Sequence, residues 1–369
     1  MIRVLHVLGG LDRGGAESMV MNLYRNIDRE AVQFDFVIHT SEKQAYYAEI
    51  IALGGRIYHF PAFCGKNAFL LKKIWTVFFL AHPEYNILHS HVRSYASIYF
   101  QIAKKQGVKL IIHSHSTSNG TGLASAVKYI LQLPLRYQAD YLMACSTESG
   151  KWLYGRNACK KSNYRFVPNG IDMDRYAYSE TTAAEYRANL GLKDKFVLGH
   201  VGRFHEAKNH MFLLDVFAGI CQRRPNAMLM LVGDGDIRVR IESKIKSLGL
   251  ENRVIMTGSR SDVPQLLQAM DVFVFPSLWE GLPVTVVEAQ AAGLPCLISD
   301  TITDDVDISE LVKRLPINNP IAWVDAILSV DTGRVDVLDK IKSAGFDVRD
   351  VAEVLKNFYV DLAKESSHK

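Results

Sequence analysis

No apolar run in this 369-residue chain approaches the roughly 20 residues that a membrane-spanning helix needs. The longest candidate, 68–81, is broken by Lys72 and Lys73. Cysteine is scarce: Cys64, Cys145, Cys159, Cys221 and Cys296 are scattered, odd in number and without a Cys-x-x-Cys pair. That argues against a disulfide framework or a structural zinc site, and for a reducing compartment. The opening MIRVLHVLGG lacks the charged-then-apolar pattern of a secretion signal and reads at once as a strand. The expected location is cytoplasmic. Internal repeats and low-complexity segments are missing, as is any recognisable nucleic-acid-reading motif, so nucleic acid is not an expected partner. No Gly-x-Gly-x-x-Gly follows the first strand, and no acid closes the second, which ends at His39 and Thr40. Dinucleotide binding is therefore disfavoured.

What is present is ordinary for a soluble globular protein: 48% apolar and 22% charged residues. The net charge of +4 hides an asymmetry. Residues 1–170 hold 20 Lys+Arg against 10 Asp+Glu, a net of +10, and the remainder carries −6. A basic half of this kind suits an anionic partner, for which a membrane surface is one candidate, or only a solubilising surface.

β-rich apolar runs near 3–8, 34–39, 87–89, 109–113, 141–144 and 165–167 alternate with helical patterns. A second series follows near 196–201, 228–232, 254–256, 272–275 and 296–298. Strands alternating with helices predict parallel sheets covered on both faces. Two series of five or six strands read as two Rossmann-like, doubly wound α/β domains: 1–180, and 181–347. A helix over 348–365 carries apolar residues at Val351, Val354, Leu355, Phe358 and Leu362, and is a candidate to pack back on the first domain.

Ligands of open parallel sheets bind beyond the carboxyl ends of the strands, so the loops there carry the candidate site. The densest signal is VFVFPSLWEGLPVTVVEAQAAGLPCLISD, 272–300. A buried strand leads through Glu280 and Gly281 to a helix opened by Pro283 and stopped by Gly293. A helix N-terminus at a sheet end is an anion site. Carboxylates beside it repel the anion unless they grip neutral hydroxyl groups, the combination a nucleotide sugar offers. For either acid alone the competing reading is an exposed helix residue.

In the loop 8–18, LGGLDRGGAES, Gly9, Gly10, Gly14 and Gly15 let the backbone approach a ligand closely. A plain glycine-rich turn is the alternative. His-Ser-His occurs at 89–91 and again at 113–115. Neither pair has carboxylate or cysteine partners at ligand spacing, so a single cleft histidine is expected, with His115 favoured because it lies beyond its strand. Asp172 and Asp174 read as turn and cap residues, not metal ligands. Arg203 and Lys208 follow a strand ending at Gly202, where two cations can neutralise a diphosphate without metal.

In this order the features resemble glycosyltransferase family 4, the retaining enzymes of the GT-B fold. The resemblance rests on Gly-Gly-Ala-Glu at 14–17, His115, Pro-Asn-Gly-Ile-Asp at 168–172, Gly202-Arg203 with Lys208-Asn209, Gly-Asp-Gly at 233–235, and Glu280-x7-Glu288 inside its glycine- and proline-marked frame. It implies a nucleotide-sugar donor, most often UDP-linked, on the second domain and an acceptor on the first, with the domains closing on the cleft between them. Arg203 and Lys208 would hold the diphosphate, and Glu288 the ribose. Glu280 and the backbone at Gly281 and Leu282 would hold the sugar. Gly14 and Gly15 would approach the phosphates, and His115 the reacting carbon. Neither a metal, nor another cofactor, nor a covalent nucleophile is implied, and a leaving phosphate oxygen takes the acceptor proton. Leu282-Pro283 departs from the commonest form of the motif, which leaves the donor sugar open. The likeness is to bacterial exopolysaccharide and capsule transferases, whose acceptors are often polyprenyl-diphosphate-linked glycans. That would give the basic first half an anionic membrane to meet, with 69–81 and 123–136 as candidate contact segments or simply core helices. A sugar-nucleotide epimerase and a non-catalytic nucleotide-sugar-binding protein are the alternative functions.

Overall fold

The computed structural model describes residues 1–12, 14–117 and 123–367. The chain forms two compact units, 1–170 with 345–369, and 171–344. In the first, seven parallel strands run β1 Ile2–Val7, β2 Val32–Ile38, β3 Ile57–His59, β4 Ile87–Ser90, β5 Lys109–Ser114, β6 Tyr141–Ala144 and β7 Tyr164–Phe166. Their spatial order is β3-β2-β1-β4-β5-β6-β7. In the second, six parallel strands are β8 Phe196–Val201, β9 Ala227–Val232, β10 Val254–Gly258, β11 Val272–Phe275, β12 Cys296–Ser299 and β13 Val312–Leu315, ordered β10-β9-β8-β11-β12-β13.

The alternation of β-rich and helical segments thus gives two parallel α/β sheets, and the first is one strand larger than the five or six expected. The two strands the sequence hid are β3 (IYH) and β13 (VKRL), each an edge strand of three or four residues with only part of its face buried. Such strands are too short and too polar to stand out as apolar runs.

Residues 171–180, read from sequence with the first domain, pack in the second unit. Ile171 is buried there, and Met173 and Tyr176 hold the short helix Met173–Tyr176 against helices Val263–Gln268 and Val284–Ala291. The terminal helix Val348–Ser367 packs on helix Gly15–Asn26 and on β1, β2 and β4. It buries Val348, Val351, Ala352, Leu355, Tyr359 and Leu362 in a cluster with Val4, Phe34, Phe36 and Ile38. Val354, assigned to this stripe by spacing, instead points outward. The other face of the first sheet packs Leu5, Val7, Leu88, Leu110 and Ile112 against Trp75, Tyr99 and Phe100. In the second unit Leu198, Leu229, Leu231 and Val274 pack against Leu213, Phe217 and Trp323. Continuous burial along β2, β8 and β11 is what helices on both sheet faces require.

Among the described residues no helix is long and apolar enough to cross a membrane. Two segments read as core or membrane-contact candidates turn out half solvent-facing. Helix Ala68–Ala81 buries Leu71, Trp75, Phe78 and Phe79 but exposes Phe69 (88%), Leu70, Val77 and Leu80 beside Lys72 and Lys73. Helix Leu123–Gln132 exposes Val127, Tyr129 and Ile130 beside Lys128.

Candidate active site

In each sheet the strand order reverses once, between β1 and β4 in the first and between β8 and β11 in the second. Crevices open at such switch points, at the carboxyl ends of the strands. The candidate residues fall there.

In the second unit the loop after β8 carries Lys208 and the loop after β11 carries Glu280. The amide of Leu278 donates to the Ala207 carbonyl at 2.7 Å, tying the two loops together. Lys208 Nζ donates to Glu280 Oε1 at 2.7 Å, with the two side chains 16% and 13% exposed. The ammonium also lies 4.5 Å from the centroid of the Phe275 ring. Arg203, by contrast, is 67% exposed and paired with Asp236 at 3.0 Å. The structure therefore joins Lys208 to Glu280 and leaves Arg203 at the solvent edge of the same loop.

The helix after Glu280 runs Val284–Ala291, with Pro283 at its cap, and Gly293 closes it at φ +70°. Of its first amides, that of Val284 donates to the Leu282 carbonyl at 3.0 Å and that of Val286 to the Pro283 carbonyl at 2.9 Å. Thr285 Oγ1 there and Ser277 Oγ in the preceding loop are buried without a partner among the described residues. Gly281 is half-buried and Leu282 is buried. Glu288, in the second turn, accepts from the Tyr176 hydroxyl at 2.6 Å. Burial pushes the Glu288 carboxyl above its ordinary range, and the Tyr176 hydrogen bond pulls it partly back. Tyr176 was invisible as a site residue in the sequence, since 112 positions separate the pair.

Gly233 explains why the Gly-Asp-Gly turn has its composition. Its φ is +142°, and a Cβ there would lie 2.0 Å from the Gly202 carbonyl oxygen. The turn so formed lets the Phe204 amide donate to the Asp234 carbonyl at 2.9 Å. Gly233→Ala is expected to push the Arg203–Lys208 loop off its seat and to cost about 3 kcal/mol, from strain and overpacking together. Urea unfolding measures the loss, and calorimetry should show nucleotide binding weakened in parallel.

In the first unit Gly14 caps helix Gly15–Asn26 in an extended conformation (φ −90°, ψ 169°). A Cβ on Gly14 would meet the Glu17 carboxylate, whereas one on Gly15 would meet nothing within 4 Å. Burial raises the Glu17 carboxyl above its usual range. The single cleft histidine expected from sequence is in fact one of five. His6 on β1, His89 and His91 at the end of β4, and His113 and His115 at the end of β5 stack ring on ring. Parallel pairing sets His6 beside His89, and the two-residue repeat of a strand returns each His-x-His pair to one face. His115 Nε2 is 2.8 Å from His91 Nδ1, and His6 Nδ1 is 3.0 Å from His91 Nε2. Burial depresses all five, His6 and His115 to about 3, so the rings are neutral.

Two trios, His6-His89-His91 and His91-His113-His115, each bring one ring nitrogen per residue within 4.8 Å of one another. These are the groups that could hold a metal, and among the described residues no carboxylate or thiol joins them. Asp172 lies at the cap of helix Met173–Tyr176 and makes no side-chain capping bond; Asp174 lies in its first turn.

Residues 13–175 match the family model described as Glycosyltransferase Family 4, and residues 182–328 the one described as Glycosyl transferases group 1. EpsF of Bacillus subtilis, which carries the name of a glycosyltransferase, is 36% identical over 99% of this chain and 98% of its own. The UDP-Gal:alpha-D-GlcNAc-diphosphoundecaprenol alpha-1,3-galactosyltransferase of Escherichia coli is 26% identical over 83% of this chain and 84% of its own. Among solved structures, Anabaena HepE in complex with UDP and glucose superposes with a TM-score of 0.75 at 20% identity, covering 99% of this chain and 100% of that one. The chain belongs to glycosyltransferase family 4 and is a GT-B glycosyltransferase.

Proposed function

We propose that this enzyme transfers a sugar from a UDP-linked donor, with retention of anomeric configuration, to a polyprenyl-diphosphate-linked glycan in exopolysaccharide or capsule synthesis. The observation that carries the reading is the buried Lys208–Glu280 pair at the β8/β11 switch point. A diphosphate arriving at the helix N-terminus competes for Lys208 and frees the Glu280 carboxylate for sugar hydroxyls. Arg203, free to swing from its exposed pair with Asp236, adds a second cation. Two cations and the helix end supply the charge that a metal supplies elsewhere, so the transfer is metal-independent and uses no other cofactor. Glu288, held by Tyr176, takes the ribose, and the backbone at Gly281 and Leu282 takes the sugar. In the first unit Gly14, Gly15 and His115 are the substrate-facing residues. The new bond joins the anomeric carbon to the acceptor oxygen as the sugar–phosphate bond breaks. UDP departs, and its phosphate oxygen takes the acceptor proton.

The names of the Escherichia coli galactosyltransferase and of the HepE complex support the UDP donor, and the former also supports the acceptor class. Incubating the enzyme with a panel of nucleotide sugars and a short polyprenyl-diphosphate glycan, with and without chelator, tests each part. An α-linked product from an α-linked UDP donor, unchanged by chelator, is expected. An inverted product, a need for metal, or turnover only with another nucleotide overturns the corresponding part.

A lipid-linked acceptor brings the enzyme to the inner face of the membrane, and two helices of the first unit support a contact there. Helices Ala68–Ala81 and Leu123–Gln132 both pack on helix Ala96–Lys105 and expose apolar residues beside lysines, the pattern of interfacial helices. Flotation with phosphatidylglycerol vesicles is expected to recover the protein at low salt and less at high salt. Phe69→Glu with Leu80→Glu is expected to cut recovery severalfold while leaving transfer to a soluble acceptor analogue intact. Equal recovery of this variant would remove these helices as the contact.

A further inference from the structure

Glu288 has two carboxylate oxygens, and the fold already occupies one of them. Oε1 accepts from the Tyr176 hydroxyl at 2.6 Å, while Oε2 makes no hydrogen bond among the described residues. Glu288 is half-buried and keeps some surface open to solvent, whereas Tyr176 is only 8% exposed. The direction of the bond is fixed by chemistry. Burial and the neighbouring carboxylate hold the Tyr176 phenol well above its ordinary 10, so it stays protonated and donates. The tyrosine is itself held on both sides. Its helix, Met173–Tyr176, packs against the helix that carries Glu288 and against helix Val263–Gln268. From the latter, the buried Gln268 side chain accepts from the Ser179 amide at 2.9 Å and donates to the Ala177 carbonyl at 3.3 Å. Arg334 lies 4.5 Å from the centroid of the Tyr178 ring while donating to the carbonyls of Gln268 (2.8 Å) and Met270 (2.6 Å). The backbone that carries the phenol is thus tied to one frame, and the phenol reaches Glu288 from a fixed origin. A carboxylate with one oxygen so held has its plane, and its remaining lone pairs, held with it.

We propose that Tyr176 is a specificity-determining positioning residue: its hydroxyl holds Oε1 of Glu288, presents Oε2 to the ribose diol, and makes the site select ribonucleotide over deoxyribonucleotide donors. This rests on the role given to Glu288 above. A carboxylate placed to accept from hydroxyls is left short of partners by a donor that lacks them, and that loss is what rejects the wrong donor. Tyr176 sharpens the rejection, because a Glu288 able to turn would find other partners when the ribose hydroxyls are missing. The same hydrogen bond offsets the burial that raises the Glu288 carboxyl, and so favours the anion, the stronger acceptor. The competing reading is a packing contact that only closes the short helix onto its neighbour. The two readings differ in what the loss of one oxygen atom does to a ratio of affinities.

Calorimetry with UDP and with dideoxy-UDP, which lacks both ribose hydroxyls, reads the ratio directly. The unmodified enzyme is expected to favour UDP about a hundredfold, the worth of hydrogen bonding to a charged group. Tyr176→Phe keeps the ring and removes only the hydroxyl. It is expected to bring the preference down to about tenfold or less. It should also raise the donor KM by a larger factor than it lowers kcat, since the diphosphate separates the ribose from the breaking bond. General loosening of the fold would weaken both ligands alike and leave the ratio where it was. Glu288→Gln is expected to lower the ratio at least as far as Tyr176→Phe does. A lowered ratio in Glu288→Gln beside an undiminished one in Tyr176→Phe would overturn the positioning role of Tyr176 and leave that of Glu288 standing. No preference for UDP in the unmodified enzyme, or a full preference in Glu288→Gln, would instead overturn Glu288 as the ribose holder, and the proposal with it.

Discussion

Glu280→Gln is expected to lower kcat/KM by about 10² to 10³, or about 3–4 kcal/mol of transition-state stabilisation, with the fold intact. The amide has the size of the carboxylate and can still accept from Lys208, so the 2.7 Å contact survives in weakened form. What disappears is the negative charge, which both strengthens hydrogen bonds from sugar hydroxyls and faces positive charge growing on the anomeric carbon. Lys208→Ala acts differently. It takes the Lys208 ion pair from Glu280, only 13% exposed, and removes a cation from the loop after β8. Its expected signature is weaker UDP binding together with a lower Tm, because a mostly buried carboxylate that loses an ion-pair partner is destabilised. Residues in contact do not act additively, so the double variant should lose less than the two single losses combined. Steady-state kinetics with a UDP-sugar and calorimetry with UDP alone separate the two. Unchanged transfer by Glu280→Gln would remove the switch-point pair from the mechanism.

The parts of this site that local sequence showed were those with local causes. Glycine and proline marked the ends of helix Val284–Ala291, and the apolar runs marked eleven of the thirteen described strands, so Glu280, Arg203 and Lys208 could be put in strand-end loops, and Glu288 on the helix, before any pairing was known. What stayed hidden depends on strand order. Lys208 meets Glu280 because β8 and β11 are neighbours, although 72 residues separate the two side chains. The histidine stack has the same origin. Each His-x-His pair is visible in the sequence and faces one way by strand periodicity, but only the order β1-β4-β5 makes the stack continuous. Tyr176 was missed for a further reason: its polypeptide was read with the wrong half, since nothing local shows that 171–176 packs with the second unit.

Acid should unfold this protein well before its carboxylates titrate. Eight histidines, His6, His39, His89, His91, His113, His115, His200 and His210, have native values held below the ordinary 6.5 by burial, with His6 and His115 near 3 and His39 and His210 near 4. Below pH 6.5 the unfolded chain binds these protons and the native chain does not, so stability falls as pH falls. Each group contributes about 0.7 kcal/mol of loss between pH 7 and pH 6, and the eight together about 5 kcal/mol, comparable with the whole stability of an ordinary domain. Glu17 and Glu288, whose carboxyls burial raises, gain on acidification, but they are two against eight. Six of the histidines sit in the first unit, so its amides should lose hydrogen-exchange protection at higher pH than those of the second. Replacing His6 and His89 together by Phe and Gln, which cannot take up a proton here, should flatten the dependence by about two groups' worth even if the variant starts less stable. A Tm that holds constant from pH 7 to pH 5 would mean that the native stack itself accepts protons, because only equal uptake by both states cancels the slope.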